Sequence, residues 1–326
     1  MLRSNSSAPQ SFRSCSNLND TLFIINPASA RGATLQSWTD ASRKIVAAGV
    51  VFDQHVTSRA GEATEVTRKA LAAGVTRVIA VGGDGTLGEV VNGYLNESGE
   101  PVNGNAAIGL LPSGTGSDFR RTLGITNRFE LLQSLTRSET RLIDAARAEF
   151  LNLSGARASR FFINVASFGL GGDVSAMVNR WRDKLPRWIG GRARFAAASV
   201  AALGRYKNIA VSLRVDDREL TVDSNLIVVA NGRFAGGGMM LAPHASVDDG
   251  LLDVIVTDGV SRFDVVKELP RIQRGSHLKN PKVTEWRARR ITIDTSEEMA
   301  IDLDGEMVGF TPACLRVVPS AVRILA

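Results

Sequence analysis

Three loop segments, two of them glycine-rich and each sitting directly behind a short apolar run, constrain this chain more than any other feature. NPASARG (26–32) closes TLFIINP, GGDGT (82–86) follows VTRVIAV, and PSGTGSD (112–118) follows AAIGLLP. A fourth β run, VVFDQHVT, covers 50–57. Between these runs, ATLQSWTDASRKIVAAG (33–49), GEATEVTRKALAAG (61–74) and TLGEVVNGYLN (86–96) carry apolar residues at helical spacing. Ser58 is the expected cap of the second helix and Gly74 its stop. Strands alternating with helices in this way imply an α/β fold with a doubly wound parallel sheet, helices covering both faces in three layers. Ligands of such sheets lie beyond the carboxyl ends of the strands, so the three loops should share one edge.

Beyond about residue 143 the pattern changes. AARAEFLNLSG, RFFINVASFG, NIAVSLRVDD, LTVDSNLIVVANG, LLDVIVTDG, ARRITIDTS and MAIDLDGEMVG read as strands separated by turns, interrupted by one helical region at about 172–204. The expected organisation is a serine-rich leader at 1–19 and an α/β nucleotide domain at 20–143, to which the segment at about 310–326 returns. A mostly β sandwich at 144–309 would hold the substrate. No apolar stretch reaches the roughly 20 residues of a membrane-spanning helix, and the leader lacks the apolar core of a secretory signal. Two cysteines, Cys15 and Cys314, at opposite ends form neither a disulfide framework nor zinc spacing, which suits a cytoplasmic protein. A net charge of +6 favours polyanionic partners without choosing among them.

GDGTLG (83–88) matches the dinucleotide pattern G-x-G-x-x-G, but the next strand ends without the acid that would hold a ribose, and no phosphate-binding lysine of the Walker type follows. What remains is a cradle of backbone N–H groups at a helix start, suited to phosphate. A carboxylate inside it, Asp84, would repel phosphate unless Mg2+ stood between them. PSGTGSDF repeats the recipe with Asp118. Each loop alone also reads as an ordinary turn or capped helix start. Together they favour a nucleoside triphosphate with metal.

In this order and spacing, NPASARG, GGDGTLGEVVNG and PSGTGSDF resemble the diacylglycerol kinase catalytic-domain family, which includes soluble bacterial lipid kinases and the sphingosine and ceramide kinases. FINVASFGLGGDV (162–174), VVANGRFAGGGMMLAPHASVDDGLLDVIV (228–256) and IDLDGE (301–306) extend the resemblance to the end of the chain. The resemblance implies an ATP- and Mg2+-dependent kinase acting on a hydroxyl of diacylglycerol or a related lipid. It implies nucleotide contacts from Asn26, Pro27, Thr57, Gly82, Gly83, Asp84, Gly85, Thr86 and Thr115, with Asp84 and Asp118 in a magnesium network at the phosphates. It further implies a structural metal at Asp249 with backbone oxygens of Ser246 and Leu251, and Glu306 as general base. From the residues alone, DLDGEMV is equally an Asp-Gly hairpin and SVDDGLL a loop entering a strand. The family commonly carries Asn at the positions of Gly88 and Ser117.

Residues 180–206 interleave Arg and Lys with Trp and Phe, which reads first as a packed helix with a solvated basic side, then as a membrane contact. Nucleic acid is not an expected partner. A lipid substrate implies transient contact with an anionic membrane surface, and the sequence leaves a homodimer open. The alternatives are an NAD or sugar kinase sharing the GGDGT loop, or a lipid- or nucleotide-binding regulator without turnover.

Overall fold

The computed structural model describes residues 19–113, 117–125, 128–137, 139–181, 197–198, 201–204 and 207–325. The leader to residue 18, Thr115 and most of the basic–aromatic stretch at 180–206 lie outside them.

The first half builds β1 (Thr21–Ile25), α1 (Thr34–Ala47), β2 (Asp53–Val56), α2 (Glu62–Ala72), β3 (Arg77–Gly82), α3 (Asp84–Tyr94) and β4 (Ala107–Pro112). The strands pair in parallel in the order β2-β1-β3-β4. Because successive strand residues face opposite sides, β1 sends Leu22 and Ile24 to one core and Phe23 and Ile25 to another. The first core is closed by Val66, Ala70 and Leu71 of α2 with Leu87, Val90 and Val91 of α3. The second is closed by Trp38 and Ile45 of α1. These are the three layers expected of the sequence.

One detail differs. The α2 N-cap is Gly61, in the left-handed region at φ 80, and not Ser58. Ser58 instead donates from its backbone N (2.6 Å) and its hydroxyl (2.8 Å) to Glu62 Oε2, so the first-turn acid holds the incoming loop. That contact keeps the Glu62 carboxyl down at about 2, chiefly through the Ser58 N–H.

After α4 (Asp118–Thr122) and α5 (Arg128–Arg137) the chain turns antiparallel. It forms β5 (Thr140–Asn152), β6 (Arg157–Phe162), β7 (Val165–Gly169), α6 (Leu170–Trp181), β8 (Ile209–Val215), β9 (Arg218–Ser224) and β10 (Leu226–Ala230). A two-stranded pair follows, β11 (Phe234–Ala235) and β12 (Met239–Met240), then β13 (Leu252–Thr257), α7 (Arg262–Ile272), β14 (Val283–Ala288), β15 (Arg290–Thr295), β16 (Ala300–Leu303) and β17 (Glu306–Leu325). Phe168, Ile227, Val229, Val254 and Ile301 from one layer meet Ala148, Leu213, Ile291, Ile293 and Leu315 from the other, which makes a sandwich core. β17 runs antiparallel to β5, β15 and β16, and its far end pairs in parallel with β4 through Ile324 and Ile108. Hydrogen bonding is therefore continuous from the antiparallel layers into the parallel sheet. Among the described residues, no helix is long and apolar enough to cross a membrane.

Helices α2 and α3 approach so closely at Gly93 that a Cβ there would lie 2.4 Å from the Thr64 carbonyl oxygen and 2.6 Å from Thr67 Cβ. Backbone cannot yield as a flexible side chain does, so Gly93→Ala must push the helices apart. We expect a loss of about 1–3 kcal/mol, read as a lower denaturant midpoint with an unchanged slope.

Candidate active site

The three loops meet at one edge of the sheet, as their positions after β1, β3 and β4 require. Asn26 donates from Nδ2 to Thr86 Oγ1 at 3.1 Å, and its backbone N donates to the Val81 carbonyl at 3.0 Å. Ser29, Thr34 and Ser113 share a hydroxyl cluster at 2.6–3.0 Å that ties the first loop to the end of β4. Thr57 is buried and bonds back to the Ile25 carbonyl through its N–H and its hydroxyl, at 2.9 and 3.3 Å. Pro27 lies half-buried between Asn26 and the exposed Ala28.

The glycines of the second loop serve different ends. A Cβ at Gly82 would fall 2.3 Å from Thr86 Oγ1, so that glycine lets the threonine fold back. At Gly85 it would come within 3.2 Å of Glu306 Oε1. At Gly83 it would meet nothing within 4 Å, and the φ of −109 suits any residue. The space beside Gly83 is thus open to a ligand lying against the backbone at the start of α3.

Asp84 is half-buried at the first turn of α3 and accepts the Ser117 hydroxyl at 2.6 Å, the Asp118 N–H at 2.8 Å and the Phe119 N–H at 3.4 Å. It ties the second loop to the third. Burial raises its pKa in spite of these donors. Asp118 accepts the Gly237 N–H at 2.7 Å on Oδ2, while its buried Oδ1 has no hydrogen-bond partner and lies 3.7 Å from Arg121 Nε. Burial, reinforced by the nearby Asp84 charge, pushes Asp118 up to about 6.

The β16–β17 connection is a two-residue turn, Asp304 at φ 51 and Gly305 at φ 90, the left-handed pair that an Asp-Gly hairpin needs. Asp304 turns inward and accepts three consecutive backbone N–H groups, Ile163, Asn164 and Val165, each at 3.0 Å. Burial still carries it up to about 7, with Asp84 adding repulsion. Asp302, in the preceding strand, is pushed by burial up to about 6. Glu306 emerges from the turn half-exposed, its Oε2 held 2.7 Å from Arg160 Nη1 of β6 and its Oε1 toward Gly85. Arg160, Asp302 and Asp304 were missed as site residues. The two aspartates do carry a signal, an acid at an inward strand position and an Asp-Gly turn, whereas Arg160 carries none.

Asp302 and Asp304, but not Glu306, line a cavity of about 910 Å3. Its other walls are apolar, with Leu170, Val174, Leu226, Val228, Leu241 and Leu269 among them, and Gly236 and Gly237 border it. Asp118 and Asp84 line the same cavity with Arg120 and Arg121.

A divalent cation fits the acid end. The Asp84 charge repels both Asp118 and Asp304 there, and Asp118 Oδ1 is an orphaned acceptor. Among the described residues, however, no three His, Cys, Asp or Glu side chains converge to hold a metal by themselves. A cation would share its shell with ligand oxygens, as Mg2+ commonly does. The second implied metal position fits less well. Asp249 Oδ1 accepts the Leu251 N–H at 3.0 Å, its Oδ2 is taken by Arg287, and the neighbouring Ser246 hydroxyl donates to Asp248 at 2.6 Å. A cation there would have to displace a guanidinium.

Residues 20–148 match the diacylglycerol kinase catalytic domain, and residues 164–326 match the YegS C-terminal NAD kinase beta sandwich-like domain. The chain is 28% identical over 290 residues to the diacylglycerol kinase of Bacillus subtilis (strain 168), covering 89% of this chain and 90% of that protein. It is 30% identical to the "Probable lipid kinase YegS-like" of Shewanella frigidimarina (strain NCIMB 400), covering 85% of each. A crystal structure of a diacylglycerol kinase from Bacillus anthracis str. Sterne superposes with a TM-score of 0.65 over 95% of this chain and 97% of the other. At 23% identity that likeness speaks for the fold alone. Loops, domain order and relatives agree: the chain belongs to the lipid-kinase family in which a diacylglycerol kinase catalytic domain is joined to a YegS-type C-terminal domain.

Proposed function

We propose that the protein is an ATP- and Mg2+-dependent kinase that transfers the γ-phosphate to a hydroxyl of diacylglycerol or a closely related lipid. The observation that carries this reading is a cavity whose lining is mostly apolar but also holds Asp84, Asp118, Asp302 and Asp304 beside the loops after β3 and β4. A pocket of about 910 Å3 is of the size that accepts a large ligand, and its apolar lining suits acyl chains better than a sugar or a second nucleotide. The matches over most of the chain to a diacylglycerol kinase and a YegS-like lipid kinase support the same reading over an NAD or sugar kinase.

Phosphoryl transfer demands positioning and charge neutralisation more than covalent help from the protein. The N–H groups at the start of α3, left bare beside Gly83, would hold the phosphates, with Asn26, Thr57, Thr86 and Thr115 along the nucleotide. Asp118, with Asp84 behind it, would hold Mg2+, which when bound spreads the charge of the transferring group. Glu306 would take the proton from the lipid hydroxyl as the new O–P bond forms and the bond to the ADP leaving oxygen breaks. Oε1 would be the accepting atom, because Arg160 pairs with Oε2. Arg160 thereby fixes the carboxylate's orientation.

Two measurements test the reading. With labelled ATP and a panel of diacylglycerol, monoacylglycerol, sphingoid base, ceramide and phosphatidylglycerol, label should enter diacylglycerol or one near relative. Glu306→Gln should lower kcat by about 10²–10⁴-fold. Label in no lipid rejects the substrate class, and full turnover in the variant removes Glu306 from its role.

The second measurement is stability against pH. Asp302 and Asp118 titrate at about 6 and Asp304 at about 7, above the roughly 3.9 of an unfolded aspartate. Between about pH 4 and 7 the native state therefore binds more protons than the unfolded chain, and the contribution of these groups to stability falls as pH rises. Without divalent cations, Asp302→Asn should flatten the fall in Tm across this window relative to the parent protein. Added Mg2+ with nucleotide should raise Tm more at pH 7.5 than at pH 5. Equal shifts at both pH values would contradict a cation at the acid end.

A further inference from the structure

Helix α7 has two faces with opposite tasks. Val265, Leu269 and Ile272 point inward and form part of the wall of the substrate cavity. On the other side Phe263 is 69% exposed and Val266 49%, and Phe263 is the one aromatic side chain among the large exposed hydrophobics of the described residues. Phe263, Lys267, Pro270 and Arg274 recur at the spacing of a single helical stripe, with Arg274 just past the helix end. Among the described residues, none covers Phe263 or Val266.

Its charge says what would. Residues 261–282 hold six lysines and arginines against two acids, a surplus of four out of the chain's net +6. Both acids are already spent locally: Asp264 pairs with Lys282 at 3.1 Å and caps the helix with Ser261, and Glu268 is buried against Arg271 at 3.0 Å. Arg262, Lys267, Arg274 and Lys279 are exposed, and the Arg262 guanidinium lies 5.7 Å above the Phe263 ring. An exposed aromatic flanked by uncompensated cations complements an anionic bilayer surface, where the ring enters the headgroup boundary and the cations meet phosphates. A folded protein partner would require an acidic apolar patch of its own, and nothing in the fold points to one.

We propose that α7 is the docking element by which the protein seats on anionic bilayers, its outer stripe in the headgroup layer and its inner face on the cavity. The inference rests on the reading of that cavity as the lipid-substrate pocket, and it adds a route. Substrate leaves the bilayer beside the same helix that lines its binding site, without crossing bulk water.

The test is flotation with vesicles of phosphatidylcholine alone and with about one-third phosphatidylglycerol, at low and raised salt, using the full chain. The parent protein should bind the anionic vesicles and release as salt screens the cations. Phe263→Ser should weaken binding by about tenfold or more, and Lys267→Ser with Arg274→Ser by about fivefold for each cation. Val51→Ser, at an equally exposed valine on the far side of the first domain, should change nothing. In the same variants, thermal unfolding and turnover of a short-chain diacylglycerol in detergent micelles should match the parent, while turnover of bilayer-embedded lipid falls with binding. Parent-like vesicle binding by the α7 variants, or no binding by the parent protein, overturns the proposal. If no lipid is phosphorylated yet the variants lose binding, docking stands and the substrate assignment falls instead.

Discussion

The last strand holds the molecule together. β17 begins at Glu306 in the site, pairs with β16 over the site turn, crosses the sandwich beside β5 and β15, and ends against β4. Leu315 belongs to the sandwich core, and Val322 and Ile324 to the core under α2 and α3. A strand's side chains alternate faces, so a slip of one residue would expose both cores and rotate Glu306 away from Gly85. Register shifts between Phe310 and Cys314, and again between Val318 and Val322, let one strand serve layers of different twist. The position of the proposed base relative to the loop after β3 is therefore set by about twenty residues of pairing and not by the hairpin alone.

Within that frame, inward-facing carboxylates act as staples. Asp84 joins the second and third loops, Asp304 gathers the N–H groups of Ile163, Asn164 and Val165, and Asp144 accepts from Gly250 and Ser320 at 2.7 Å each. An ionised acid in a low-dielectric interior is costly unless donors surround it. Asp84 and Asp304 nevertheless stay raised, because burial outweighs the donors that surround them. The energy that holds these loops in place and the charge that would attract a cation have one origin.

The α/β half was legible because its signals are local: strand runs, helical spacing, and glycines where a loop must stay bare. The sandwich was legible as a set of strands, but its order was not, since β10 lies between β7 and β13 and only three-dimensional pairing shows it. Asp84, Asp118 and Glu306 could be found because they sit inside recognisable turns. Arg160 could not, because it reaches Glu306 across 146 positions of chain from an ordinary edge of β6. The cap of α2 was misplaced for a related reason. Glu62 bonds backward to Ser58, a contact that mimics a capping serine in sequence while Gly61 makes the turn.

The two departures from the family pattern bear on turnover. Where the family carries an amide beside Asp84, Ser117 places a hydroxyl that donates to the same carboxylate at 2.6 Å. At Gly88 a Cβ would point toward Asp304 Oδ2 at 3.8 Å and Arg160 Nη2 at 4.0 Å. A side-chain donor is missing there, but a guanidinium from another strand stands close to that position and also orients Glu306. In both places a group that stabilises negative charge is retained from a different source. A chain drifting toward a binding-only role would be free to lose such donors along with the acids they serve. Here acids and donors persist together, which weighs against a regulator without turnover and in favour of a site still under chemical constraint.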